Sequence, residues 1–128
     1  MRPVRKLILI YDADSGFVNA MADSARKLFG FKSCSLCNIT HGLAGERDAW
    51  RDCREEIGLP IEALHRDELS AELEELTAGR LPSVVAETEE GLETLLDPEV
   101  LDRCRRSVDD FKDELKAHAA KRDLDLPL

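Results

Sequence analysis

No stretch of this 128-residue chain approaches the roughly 20 consecutive apolar residues that a bilayer-spanning helix needs. There is no internal repeat, linker or low-complexity segment, so the length reads most simply as one domain with one core. A concentrated basic surface is missing too. Eighteen Lys and Arg face 27 Asp and Glu, and a formal net charge of −9 would repel a nucleic-acid backbone. The one dense basic run, Arg103, Arg105 and Arg106, is followed at once by Asp109 and Asp110 and reads as a solvated helix face. A secretory leader is not indicated. "MRPVRKLILIYDADSG" begins with positive charge, but its apolar run from Leu7 to Tyr11 is short and two aspartates follow. The expected location is the cytoplasm, with no membrane partner, where thiols are usually kept reduced. Four cysteines, Cys34, Cys37, Cys53 and Cys104, are then not a disulfide framework but metal-binding, redox-active or simply buried.

What is present is the ordinary mixture of a soluble globular protein, 43% hydrophobic and 35% charged. Lys6 to Tyr11 reads as a buried strand. "DSGFVNAMADSARKLFG" places Val18, Met21, Ala22, Ala25, Leu28 and Phe29 on one helical stripe, with Gly30 as its stop. A second strand is expected within Phe31 to Thr40, then a turn at His41-Gly42 and a helix from about Glu46 to Ile57. "LPIEALH" is a short extended piece, and Asp67 is expected to cap a helix bearing Leu69, Leu73 and Leu76. "LPSVVAETEEGLETLL" reads as two strands around a turn near Glu89 to Gly91. Asp97 and Pro98 open the last helix, whose apolar positions Leu101, Cys104, Val108, Phe111 and Leu115 step by 3, 4, 3 and 4. That seam suits core packing, with a homodimer contact as the alternative. The domain is expected over residues 1–122, with 123–128 a loose tail.

This order describes a three-layer α/β domain with early parallel strands, a late β-hairpin and a C-terminal helix. The ββα ending after Leu81-Pro82 resembles the thioredoxin fold. The resemblance spans roughly residues 6–115 and implies that Pro82, usually cis in that fold, faces a thiol site. The chain is also similar to small bacterial thiol-disulfide oxidoreductases of the DCC type, which carry Asp-Gly-x-Cys-x-x-Cys straight after strand one. Here "YDADSGFVN" stands in that place without cysteine, and the dithiol comes one strand later. "DADSG-FVNA", "CSLCNITHG" and "HRDEL" together resemble a family of short uncharacterised bacterial proteins.

In open α/β sheets, ligands gather outside the carboxyl ends of parallel strands. If the first two strands are parallel neighbours, Cys37, Thr40 and His41 lie near the "DADSG" turn, with Asp12, Asp14 and Ser15. Three chemistries compete there. In the redox reading Cys37, nearer the strand end and His41, attacks a protein or small-molecule disulfide, Cys34 resolves, and no cofactor is required. In the metal reading Cys34, Cys37 and His41 hold zinc, with His65, Cys53 or an aspartate of "DADSG" as fourth ligand. In a phosphatase reading, resembling haloacid dehalogenases, Asp12 is nucleophile, Asp14 general acid, and Thr40 ends strand two. The bland alternatives are buried core cysteines, a turn histidine, Asp14 or Ser15 capping a helix, and a partner-binding domain without chemistry whose acidic final helix makes the contact.

Geometry sets a condition. Along a strand, residues three apart lie about 10 Å from each other, at about 3.3 Å per residue. A disulfide requires Cα atoms within about 7 Å. Cys34 and Cys37 can therefore act together only if "CSLC" turns, and no helix is expected to begin there.

Overall fold

The structure, a computed structural model, describes residues 1–13, 34–42 and 45–128. The helix expected from "DSGFVNAMADSARKLFG", together with Asp14 and Ser15, lies outside the described residues. Arg2–Pro3 forms β1 and Lys6–Tyr11 forms β2, followed by α1 (Ser35–Thr40), β3 (His41–Gly42) and β4 (Gly45–Glu46). Then come α2 (Asp48–Ile57), β5 (Ile61–His65), α3 (Ala71–Thr77), β6 (Ser83–Thr88) and β7 (Gly91–Leu96). The chain closes with α4 (Pro98–Arg103), α5 (Val108–Lys121) and β8 (Leu124–Asp125).

The protein is mixed α/β. Its main sheet has the order β5-β2-β6-β7, in which β2 runs parallel to β5 and antiparallel to β6. The parallel register pairs Leu9 with Ala63 and Tyr11 with His65. β6 and β7 form the expected hairpin, its turn held where Thr88 Oγ1 accepts the Glu90 N–H at 3.1 Å. Gly91 there has φ of 124°, a backbone region in which only glycine is at ease. The Leu81–Pro82 peptide bond ahead of β6 is cis.

Alternation along the strands sorts side chains between two faces. Ile8, Ile10 and Val85 pack with Leu73 of α3 on one face. Leu7, Leu9, Tyr11, Val84 and Ala86 pack on the other, in the larger core built with α1, α2, α4 and α5. Trp50 meets Phe111 edge-on there, with ring centroids 5.7 Å apart. Among the described residues, no helix is long and apolar enough to cross a membrane.

Four expectations are corrected. The segment from Ser35 to Thr40, expected as strand two, is a helix, and the parallel neighbour of β2 is the short piece "IEALH". Helix wins because Leu36, Cys37, Ile39 and Thr40 all turn into the core on a helical stripe, while Cys34 closes the first turn. The helix after Asp67 starts later, at Ala71, where Ser70 Oγ accepts the Leu73 N–H. The last helix is two helices. Arg105 and Arg106 take positive φ of 47° and 69°, and Ser107 re-caps the chain by accepting the Asp110 N–H. The five seam residues from Leu101 to Leu115 are 0–7% exposed within this one chain, so the seam is spent on its own core. Finally, the tail expected to be loose pairs β8 with β1 in parallel and buries Leu124.

Candidate functional site

Cys34 and Cys37 form a disulfide with Cα atoms 5.3 Å apart, half the separation that a strand would impose. The helical turn supplies the approach. Cys34, in extended conformation, takes the cap position, and its Sγ accepts the Cys37 N–H at 3.2 Å. That bond satisfies a first-turn amide of α1 that has no partner within the helix. Both side chains are buried, at 1% and 3% exposure. Cys37 also lines a cavity of about 290 Å³.

That cavity lies along the β2–β5 edge of the sheet. Leu9 and Tyr11 of β2, Ile61 and Ala63 of β5, and Trp50 of α2 contribute its apolar wall. Glu46 and Arg54 stand together at it, joined by two bonds of 2.8 and 3.1 Å. Burial pushes the Glu46 carboxyl up, but its bonds to Arg54 and Arg51 prevail and hold it below the usual carboxylate range.

Two histidines share the cavity with Cys37. His41 Nδ1 lies 2.7 Å from Thr40 Oγ1, which in turn lies 3.0 Å from the Tyr11 hydroxyl. Thr40 is fully buried and also within reach of the Leu36 and Cys37 carbonyls, so its single proton has alternative acceptors. Burial pushes the Tyr11 phenol up, with the Thr40 bond opposing, so Tyr11 is a neutral hydrogen-bonding group at physiological pH. His65 closes the other side, its ring 5.7 Å from that of Tyr11. Its Nδ1 and its backbone N–H both lie 2.7 Å from Glu68 Oε1. The backbone N–H, and then the ring, hold the Glu68 carboxyl below its ordinary range.

The sequence-derived candidates divide accordingly. Cys37, His41 and His65 share one cavity, with Cys34 bonded to Cys37 behind it. Thr40 is brought in as a buried link between Tyr11 and His41, in a helix rather than at a strand end. Asp12 lies at the end of β2, its carboxylate 3.5 Å from Arg66 Nη1. Pro82 is buried one residue before Ser83, which pairs with Ile10, and so stands at the same sheet end as Tyr11. Among the described residues, no three His, Cys, Asp or Glu side chains are gathered in the manner of a metal site.

Tyr11, Trp50 and Glu68 went unmarked in the sequence. Alternation along β2 puts Tyr11 on the face of Leu7 and Leu9, and the three-residue spacing of His65 and Glu68 hints at their bond. Comparison with known proteins found no matching family model, no matching curated protein and no matching solved structure.

Proposed function

We propose that this is a thioredoxin-like domain whose Cys34–Cys37 pair exchanges disulfides with thiols entering the adjacent cavity. The observation that carries the reading is the disulfide itself, with one sulfur-bearing residue in a cavity wall and the partner sulfur stabilised by a backbone N–H. Support for the fold comes from a β2–β5 parallel pair continued by an antiparallel β6–β7 hairpin, a cis proline ahead of β6 and a closing helix.

Roles follow from position. A substrate thiolate attacks Cys37 Sγ, the Cys34–Cys37 bond breaks, and Cys34 leaves as the thiolate that the Cys37 N–H stabilises. A second substrate thiol releases the substrate disulfide and returns Cys37 as a thiol. In the reverse direction Cys37 forms the mixed disulfide and Cys34 resolves it. His41 and His65, which line the same cavity, are the groups this reading assigns to accept and return the thiol protons.

The test uses reduced protein and a chromogenic aryl disulfide. Wild type should release two equivalents of aryl thiol. Cys34→Ser should release one and retain a stable mixed disulfide on Cys37, detectable by mass. The reading is overturned if the Cys34/Cys37 double serine variant keeps full activity or the wild type has none. Stoichiometric zinc with protected thiols in freshly purified protein would overturn it in favour of the metal module.

A further inference from the structure

The cavity beside the disulfide restricts what can reach it. Cys34 and Cys37 are 1% and 3% exposed, so a cysteine on the surface of another folded protein meets no accessible sulfur. Thiol exchange needs the attacking sulfur in line with the bond it breaks, and access is therefore part of the chemistry. The route the structure offers is the cavity with Cys37 in its wall. Its volume of about 290 Å³ falls just below the roughly 300–1,000 Å³ found for small-molecule sites, which favours a small occupant.

The walls state a preference. Leu9, Tyr11, Trp50, Ile61 and Ala63 present apolar and aromatic surface. The Glu46 and Arg54 charges are joined bidentately, so a carboxylate or ammonium entering with the thiol meets a charge that already has its partner. His41 and His65 also line the cavity, with their Nδ1 atoms within bonding distance of Thr40 and Glu68. A charged group would therefore give up hydration against groups that already have partners. A ring-sized apolar group would instead bury surface against Tyr11 and Trp50.

We infer that the substrate is a low-molecular-weight thiol, or its disulfide, carrying an apolar ring-sized substituent, rather than a peptide or protein cysteine. This rests on the redox reading above. Two such thiols reduce the Cys34–Cys37 disulfide and leave as one small disulfide, with both protons and electrons passing to Cys34 and Cys37.

The experiment compares benzyl mercaptan with glutathione as reductants of the oxidised protein, at equal thiolate concentration. Benzyl mercaptan should react at least tenfold faster, with a rate that saturates. Ala63→Phe fills the cavity from β5 at an exposed position and should slow benzyl mercaptan at least tenfold and remove the saturation of its rate. Benzyl alcohol, which has no thiol, provides a readout independent of redox chemistry. It should change the fluorescence of Trp50, the single tryptophan, in wild type but not in Ala63→Phe. If no thiol reduces the disulfide, the redox reading fails and this inference with it. If both thiols act at similar rates regardless of Ala63→Phe, and benzyl alcohol leaves Trp50 unchanged, the redox reading stands and the substrate class is overturned.

Discussion

Cys104 lies in the same core as the disulfide but in a different chemical state. Its thiol is buried at the end of α4, bonds the Val100 carbonyl at 3.5 Å, and is pushed up by burial to about 11. Burial raises Cys53 in the same direction. Burial of this kind disfavours the thiolate at both. The linkage sign follows from a folded pKa above the unfolded value of about 9. Below pH 9 both states keep the proton and the contribution is intact. Between pH 9 and about 11 the unfolded chain releases a proton that the folded chain holds, so stability falls. Urea denaturation across that window should give wild type a steeper alkaline loss than Cys104→Ala, which lacks the titrating group. Equal slopes would show that Cys104 titrates alike in both states.

At the scale of elements, α1 is the one that brings Cys34 and Cys37 together, and six residues are few to hold a helix in place. Arg47 does much of the holding. Its Nη1 donates to the Ile39 carbonyl at 3.1 Å and to the Arg106 carbonyl at 2.5 Å, and lies 3.4 Å from the Asn38 carbonyl. One guanidinium therefore ties the end of the disulfide-bearing helix to the turn between α4 and α5. Arg47→Ala should cost about 1–3 kcal/mol, since hydrogen bonds to a charged donor are lost at several carbonyls. Faster hydrogen exchange at the α1 amides, with α3 unchanged, would locate the effect. Uniform exchange across the chain would argue against a local tie. The sequence concealed α1 because Ile39 and Thr40 favour strands, the run is short, and cysteine is not among the usual capping residues. By contrast, α4 was legible through Asp97 and Pro98, and Asp97 Oδ1 does accept the Val100 N–H.

For the whole molecule, the two ends of the chain meet. β1 and β8 pair in parallel, with Arg2 opposite Leu124, and Leu124 is 1% exposed in the larger core. The tail "KRDLDLPL" alternates Leu124, Leu126 and Leu128 with Asp125 and Pro127, but so short a run, broken by a proline, is a weak strand signal. Leu124→Ala should destabilise the protein by about 2–5 kcal/mol, the range for truncating a fully buried leucine, measured by denaturant unfolding. A change within about 0.5 kcal/mol would return the tail to the status of a loose end. The sequence by itself determined the apolar strand of β2, the β6–β7 hairpin, the amphipathic α2 and the inward seam of α4 and α5, because each carries its own periodicity and turn chemistry. It also marked Cys34, Cys37, His41 and His65, by residue type. Only the tertiary structure decided that "CSLC" turns rather than extends, that "IEALH" is the parallel strand beside β2, and that Tyr11, Trp50 and both histidines close around Cys37. The reason is physical. A four-residue stretch with one apolar residue between its cysteines fits either conformation, and the choice falls to the core that Leu36, Ile39 and Thr40 fill only as a helix.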